Sequence, residues 1–254
     1  MSQGLTAFLR PEDEELATKR QELAELESEL TERELYLADL ENGLAFFEGQ
    51  YLRSVGVLYA ELDEIEAQIA ELMSRKHAKD QAAQQAARQA RETAEQSKAA
   101  VSEERLQEIG ARVTPSQELK SLYREVAKRI HPDLATDPKD RALRGGLMAE
   151  ANLAYEKGDA AKLRAILLEY EASPDAVKGE GAAADLVRVI RKIAQVKRRL
   201  VEIQKRIEEL ARTELFQLKQ RVDAAREQGR DLLREMAENL KTQIADAKKR
   251  LASF

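Results

Sequence analysis

Between Leu16 and Leu72 the apolar residues of this chain recur at steps of three and four that add to seven. They are Leu16, Leu23, Leu26, Leu30, Leu37, Leu40, Leu44, Phe47 and Tyr51, then Val55, Leu58, Leu62, Ile65, Ile69 and Leu72. A stripe of that period is the seam of a coiled coil, and a helix that carries it must bury it against another helix. The far end repeats the pattern with Leu186, Val189, Ile193, Val196, Leu200, Ile203, Ile207 and Leu210. After a phase slip near Thr213 it resumes through Leu218, Val222, Ala225, Leu232, Met236, Leu240, Ile244, Ala247 and Leu251. Two seams this long commit the chain to an all-α fold with two coiled-coil arms.

Charge tells the arms apart. Residues 1–75 hold 6 basic and 18 acidic side chains, whereas residues 183–254 hold 18 basic and 11 acidic. An acidic first arm facing a basic last arm predicts that the two attract one another, in an antiparallel stalk. Identical seams serve pairing within one chain and pairing in a homodimer, so both stay open. Two consecutive steps of four between Phe47 and Val55 form a stutter, with Gly43, Gly49 and Gly56 around it. A continuous helix with a soft spot is the favoured reading there, against a kink or hairpin bend. Residues 77–100 have high helix propensity and little but alanine to bury. They read as a helical extension, an Ala-lined close contact or a linker, and His77 is given no role.

Between the arms the pattern changes. The run "TPSQELKSLYREVAKRI" opens with Thr114 or Ser116 as N-cap and carries Leu119, Leu122, Tyr123, Val126 and Ile130 on one stripe. Lys120, Arg124 and Lys128 follow at intervals of four on another face, with Arg129 beside them. Pro132 disfavours helical geometry in the residue before it, so His131, Pro132 and Asp133 fall in a loop. Asp137 and Pro138 then supply an N-cap and a first-turn proline for a helix with Leu143, Leu147, Met148, Ala151, Ala154 and Tyr155 inward. After Gly158, Asp159 caps a last helix with Leu163, Ile166, Leu167 and Tyr170 inside. The resulting plan is a tail (1–11), an acidic arm with an Ala-rich extension (12–100), a helical module (103–172), a linker (173–185) and a basic arm (186–254).

The module resembles the J-domain co-chaperones of the DnaJ type. "EIGARVTPSQELKSLYREVAKRIHPDL" is similar to that family's first helix, turn, second helix and loop, and "LMAEANLAYEKGD" to its third helix. The resemblance implies docking on a DnaK-type heat-shock ATPase through Lys120, Arg124, Lys128 and Arg129. It also implies that His131, Pro132 and Asp133 form the loop that triggers ATP hydrolysis. Gly145 and Gly146 interrupt the third-helix pattern, and no Gly/Phe-rich linker, cysteine-rich region or β-rich client-binding domain follows. The arms would therefore supply targeting or oligomerisation. The competing reading makes His131 and Pro132 ordinary loop residues and Asp133 a turn cap, with the whole chain a scaffold.

Other classes find less support. The run 188–206 holds 8 basic residues and one acidic, which invites nucleic acid, but no aromatic is present to stack on bases, and a coiled-coil face opposite an acidic helix is preferred. Without a nucleophile–base set, a phosphate-binding glycine loop or metal-ligand spacing, an enzyme, a metal or a cofactor is not expected. Cysteine is absent, and no apolar run suggests a signal peptide or a membrane span, so a cytoplasmic protein is the expectation.

Overall fold

A computed structural model describes residues 11–110, 115–135, 138–171 and 182–254, and among these the regular structure is entirely helical. The expected N-terminal tail up to residue 10, Thr114, the Asp137 cap and most of the 173–185 linker lie outside the described residues. The helices are α1 (Pro11–Tyr51), α2 (Val57–Lys76), α3 (Gln81–Ala100), α4 (Glu103–Gly110) and α5 (Gln117–Ile130). After them come α6 (Pro138–Glu156), α7 (Ala160–Glu171), α8 (Ala182–Ala211), α9 (Glu214–Glu227) and α10 (Leu232–Ala252). Among the described residues no helix is long and apolar enough to cross a membrane. The chain divides into two compact units, Met1–Asn42 with Val113–Leu210 and Gly43–Arg112 with Ala211–Phe254.

In the first unit the seam of α1 buries Leu16, Leu23, Leu30 and Leu37 against Val189, Ile193, Val196 and Ile203 of α8. The pairing is parallel, which corrects the expected antiparallel arrangement. Arg20–Asp185, Glu34–Arg199 and Glu41–Arg206 all keep a constant separation of 165 residues, so both helices advance in the same direction. The charge difference between the arms selects the partner but carries no direction, because acids run all along α1 and cations all along α8. Direction is set by the helices in between. Asp39–Lys120 and Glu32–Arg124 make α5 antiparallel to α1. Tyr123–Asn152 and the Arg129 carbonyl with Arg144 reverse the chain again into α6. Glu150–Lys162 and Tyr170 beneath Arg144 reverse it once more into α7, and α8 then starts beside the first turns of α1.

Ser116 caps α5, its hydroxyl accepting the Leu119 N–H at 3.1 Å. Leu119, Tyr123, Val126, Ala127 and Ile130 of α5 pack on Leu147, Met148, Ala151, Ala154 and Tyr155 of α6 and on Leu163 and Ile166 of α7. Helix α6 runs unbroken through Gly145 and Gly146 and ends where Gly158 takes φ +72°. There the Asp159 N–H reaches the Ala154 carbonyl and the Gly158 N–H the Tyr155 carbonyl, a Schellman stop. Asp159 then caps α7 through the Lys162 N–H. Two expectations fail here. Leu143 is 47% exposed, because it lies level with the end of α5, whose Arg129 carbonyl is taken by neighbouring Arg144. And α4 belongs to the second unit; the module's core is completed by Leu35 and Ala38 of α1.

In the second unit α1 passes through a π-helical turn, Leu52–Gly56, into α2. The inserted residue of such a turn absorbs the stutter without breaking the helix. Asp80 caps α3, accepting the Ala82 and Ala83 N–H groups, and α3 folds back on α2 with Arg91 bridging Glu64 and Glu71. Ala67, Ala87 and Ala94 are buried, so the Ala-rich segment is a close helical contact. Ile65 and Ile69 of α2 meet Ile244 and Ala247 of α10, flanked by Glu61–Lys248 and Glu66–Arg250.

The glycines at the stutter are not equivalent. A Cβ on Gly43 meets nothing within 4 Å, but on Gly56 it comes 3.0 Å from Leu52 Cδ2 and 3.2 Å from Val101 Cγ1. Gly43→Ala therefore stabilises the protein by about 1 kcal/mol in urea titration. Gly56→Ala forfeits that gain and lowers the unfolding midpoint.

Candidate functional site

The sequence signature after α5 folds as one turn of 3-10 helix, Pro132–Leu134. Its His131 and Leu134 side chains are buried, while Pro132 and Asp133 are partly exposed. His131 is 3% exposed. Its Nδ1 accepts the Asp133 backbone N–H at 3.2 Å, so the ring proton sits on Nε2 and is donated to Glu34 Oε1 at 3.0 Å. The same carboxylate oxygen accepts from Arg199 Nε at 2.7 Å. One buried carboxylate of α1 thus joins the turn to α8. Burial opposes its charge, yet the hydrogen bonds from His131 and Arg199 outweigh that cost and hold the Glu34 carboxyl below the ordinary carboxylate range.

Asp133 is half-buried, and burial raises its carboxyl despite the attraction of His131, Arg199 and Arg141. Pro132 fixes the first position of the turn, and the Leu134 and Ala135 N–H groups close it on the His131 and Pro132 carbonyls.

The four cations expected to act together are divided between two environments. Lys120 Nζ lies 2.5 Å from Asp39 Oδ2, and the Arg124 guanidinium comes within 2.7 Å of Glu32. Both acids belong to α1. Lys128 is exposed, and Arg129 pairs at 3.1 Å with Glu125 one turn before it. Asp39 makes a further tie, its Oδ1 accepting the Tyr155 hydroxyl at 2.6 Å. Tyr155 is fully buried, its ring centroid 4.5 Å from that of Tyr123; burial first, then the bond to Asp39, raises its hydroxyl.

Glu32, Glu34, Asp39, Tyr155 and Arg199 were not legible as a group. The signals they leave are the acidic bias of the first arm and a second apolar stripe on α1, Leu35 with Ala38. A cavity of 350 Å³ opens beside Glu34, lined also by Glu41, Tyr123, Asn152, Arg199 and Arg206. Its polar groups are paired with one another as Glu34–Arg199, Glu41–Arg206 and Tyr123–Asn152. Compared with protein-family models, with curated proteins and with solved structures, the chain matches none.

The two kinds of contact differ in weight. Glu32→Ala removes a pair that is largely solvent-exposed and costs at most about 1 kcal/mol. Glu34→Ala strips both partners of their buried acceptor and costs about 2–4 kcal/mol, as urea unfolding at pH 7 measures. Because the Glu34 carboxyl is held below its unfolded value, its contribution is complete above pH 4.5 and fades as the pH falls further. The gap between wild type and Glu34→Gln narrows over that range.

Proposed function

We propose that this protein is a J-domain co-chaperone that recruits a DnaK-type heat-shock ATPase and stimulates its hydrolysis of ATP. The observation that carries the proposal is the pairing of a cation-bearing helix with a proline-fixed His-Pro-Asp turn directly at its end. A turn of that kind holds Asp133 at a defined place relative to Lys128 and Arg129, at a lower entropy cost than a free loop. Cations along α5 speed encounter with an acidic surface and make it salt-sensitive. A carboxylate delivered next to them competes for an arginine on the partner and shifts the partner's equilibrium. The arms supply targeting. Four cations of the basic run, Arg188, Lys197, Arg199 and Arg206, already pair with carboxylates, which favours a helix-packing role for that run over nucleic acid.

A second reading has its own support. His131, 3% exposed and bonded to Glu34, does structural work, and a scaffold whose J-like module no longer acts on a chaperone needs no more than that.

Asp133→Asn separates the two. Since burial raises the Asp133 carboxyl, its ionisation at neutral pH opposes folding, and the stability it lends is present only below its unfolded pKa. The substitution is expected to leave urea stability at pH 7 unchanged or slightly higher. In single-turnover hydrolysis it abolishes whatever acceleration the unsubstituted protein gives. Acceleration that survives Asp133→Asn would remove the trigger from this turn.

A further inference from the structure

Three of the residues that the chaperone reading needs free are engaged by α1. Lys120 and Arg124 are engaged by Asp39 and Glu32, and His131 is closed off by Glu34. All three acids lie within two turns of one helix, and the same stretch inserts Leu35 into the core of the module. From Glu27 to Glu41 that stretch carries six carboxylates and one cation, Arg33. Two of these carboxylates, Glu32 and Asp39, pair with cations of α5, while Glu41 pairs with Arg206 of α8.

We infer that α1 masks the module in cis: the stretch Glu32–Asp39 occupies the face on which an acidic partner would dock, and docking requires its displacement. The inference rests on the chaperone reading and adds its regulation. Two features separate such a mask from ordinary packing. Of the two flanking ion pairs, Arg124–Glu32 is solvent-exposed, at 41% and 57%, and exchanges partners readily, while Lys120–Asp39 is part-buried at 26% and 28%. And Lys128 stays exposed at the turn end of the same helix, where an incoming acidic surface can make first contact before Lys120 and Arg124 are released. The bond from Glu34 to His131 holds the turn until that exchange has begun.

The test uses the full chain carrying Glu32→Lys together with Asp39→Asn. Asparagine keeps an acceptor for the Tyr155 hydroxyl while losing the charge that holds Lys120, and the cation introduced by Glu32→Lys repels Arg124. Removing two such pairs moves the closed–open balance by roughly tenfold. Single-turnover ATP hydrolysis by a DnaK-type chaperone is measured with the wild type, the double variant and the double variant with Asp133→Asn added. Hydrogen exchange across residues 30–42 and 117–131 is followed with and without the ATP-loaded chaperone.

The expected result is several-fold greater acceleration by the double variant, cancelled by Asp133→Asn, together with faster exchange at residues 30–42 of the wild type when the chaperone is added. If the wild type already accelerates hydrolysis through Asp133 as strongly as the variant, masking is overturned and the chaperone reading stands. If the variant exchanges faster along α5 yet neither protein accelerates hydrolysis, the chaperone reading falls and the mask falls with it. Should the variant collapse, exchange in the wild type decides: protection at 30–42 unchanged by a bound chaperone refutes displacement.

Discussion

A carboxylate buried to 5% exposure, on a helix rich in acidic residues, is the contact on which the first unit turns. Glu34 reaches His131 across 97 residues of sequence and Arg199 across 165. Removing a carboxylate from water costs several kcal/mol, and the contacts to both partners act against that cost. The His131 ring and the Arg199 guanidinium meet the same carboxylate oxygen, so one side chain ties together the α1 helix, the turn after α5 and the α8 helix. Deleting any of the three leaves a buried polar group without its partner. That mutual dependence places the His-Pro-Asp turn inside the structural logic of the unit, whatever else it does.

The α1 helix can serve both neighbours because it carries two stripes. Leu16, Leu23, Leu30 and Leu37, seven apart, face α8, while Leu35 and Ala38 face the core of the module. Between the stripes run Thr31, whose hydroxyl is returned to the Glu27 carbonyl, and Glu34. A helix buried on two sides must satisfy its polar residues locally or by pairing, and both solutions are present. The module of α5, α6 and α7 is small. Each buried leucine contributes about 1.5–3 kcal/mol, so the Leu35 that α1 lends to it is a substantial share of its stability.

The helical class, the two seams, the caps at Ser116 and Asp159, the stop at Gly158 and most of the module's core were legible from periodicity and capping chemistry. These features are local, set by residues within a turn or two of one another. Three others were not. The parallel sense of α1 and α8 depends on how often the chain reverses between them, and a charge difference is blind to direction. The role of α1 in the module's core depends on Leu35, which sits off the dominant seam and is outvoted by it in any seven-residue pattern. The burial of His131 depends on Glu34 and Arg199, which local spacing cannot join. Gly145 and Gly146 look like a break, yet no neighbour crowds them and the surrounding helix formers carry α6 through. The sequence-visible part of the site is therefore the turn itself, and the hidden part is what holds it.

On the proposed reading, that division governs how docking is balanced energetically. Replacing Glu32 and Asp39 by acids of a partner leaves the number of ion pairs at Lys120 and Arg124 unchanged, so the exchange of charges is close to neutral. What it must overcome is buried: the exposure of apolar Leu35 and the loss of the polar contacts of His131 and Arg199 with Glu34. Salt screens the old pairs and the new ones alike, and so weakens the mask and its competitor together. The dependence on ionic strength that remains comes from Lys128 and Arg129, which steer the encounter and do not hold the mask. Selectivity then rests on whether a partner can offer the module a substitute for the buried contacts of α1, and an acidic surface without that apolar complement does not open it.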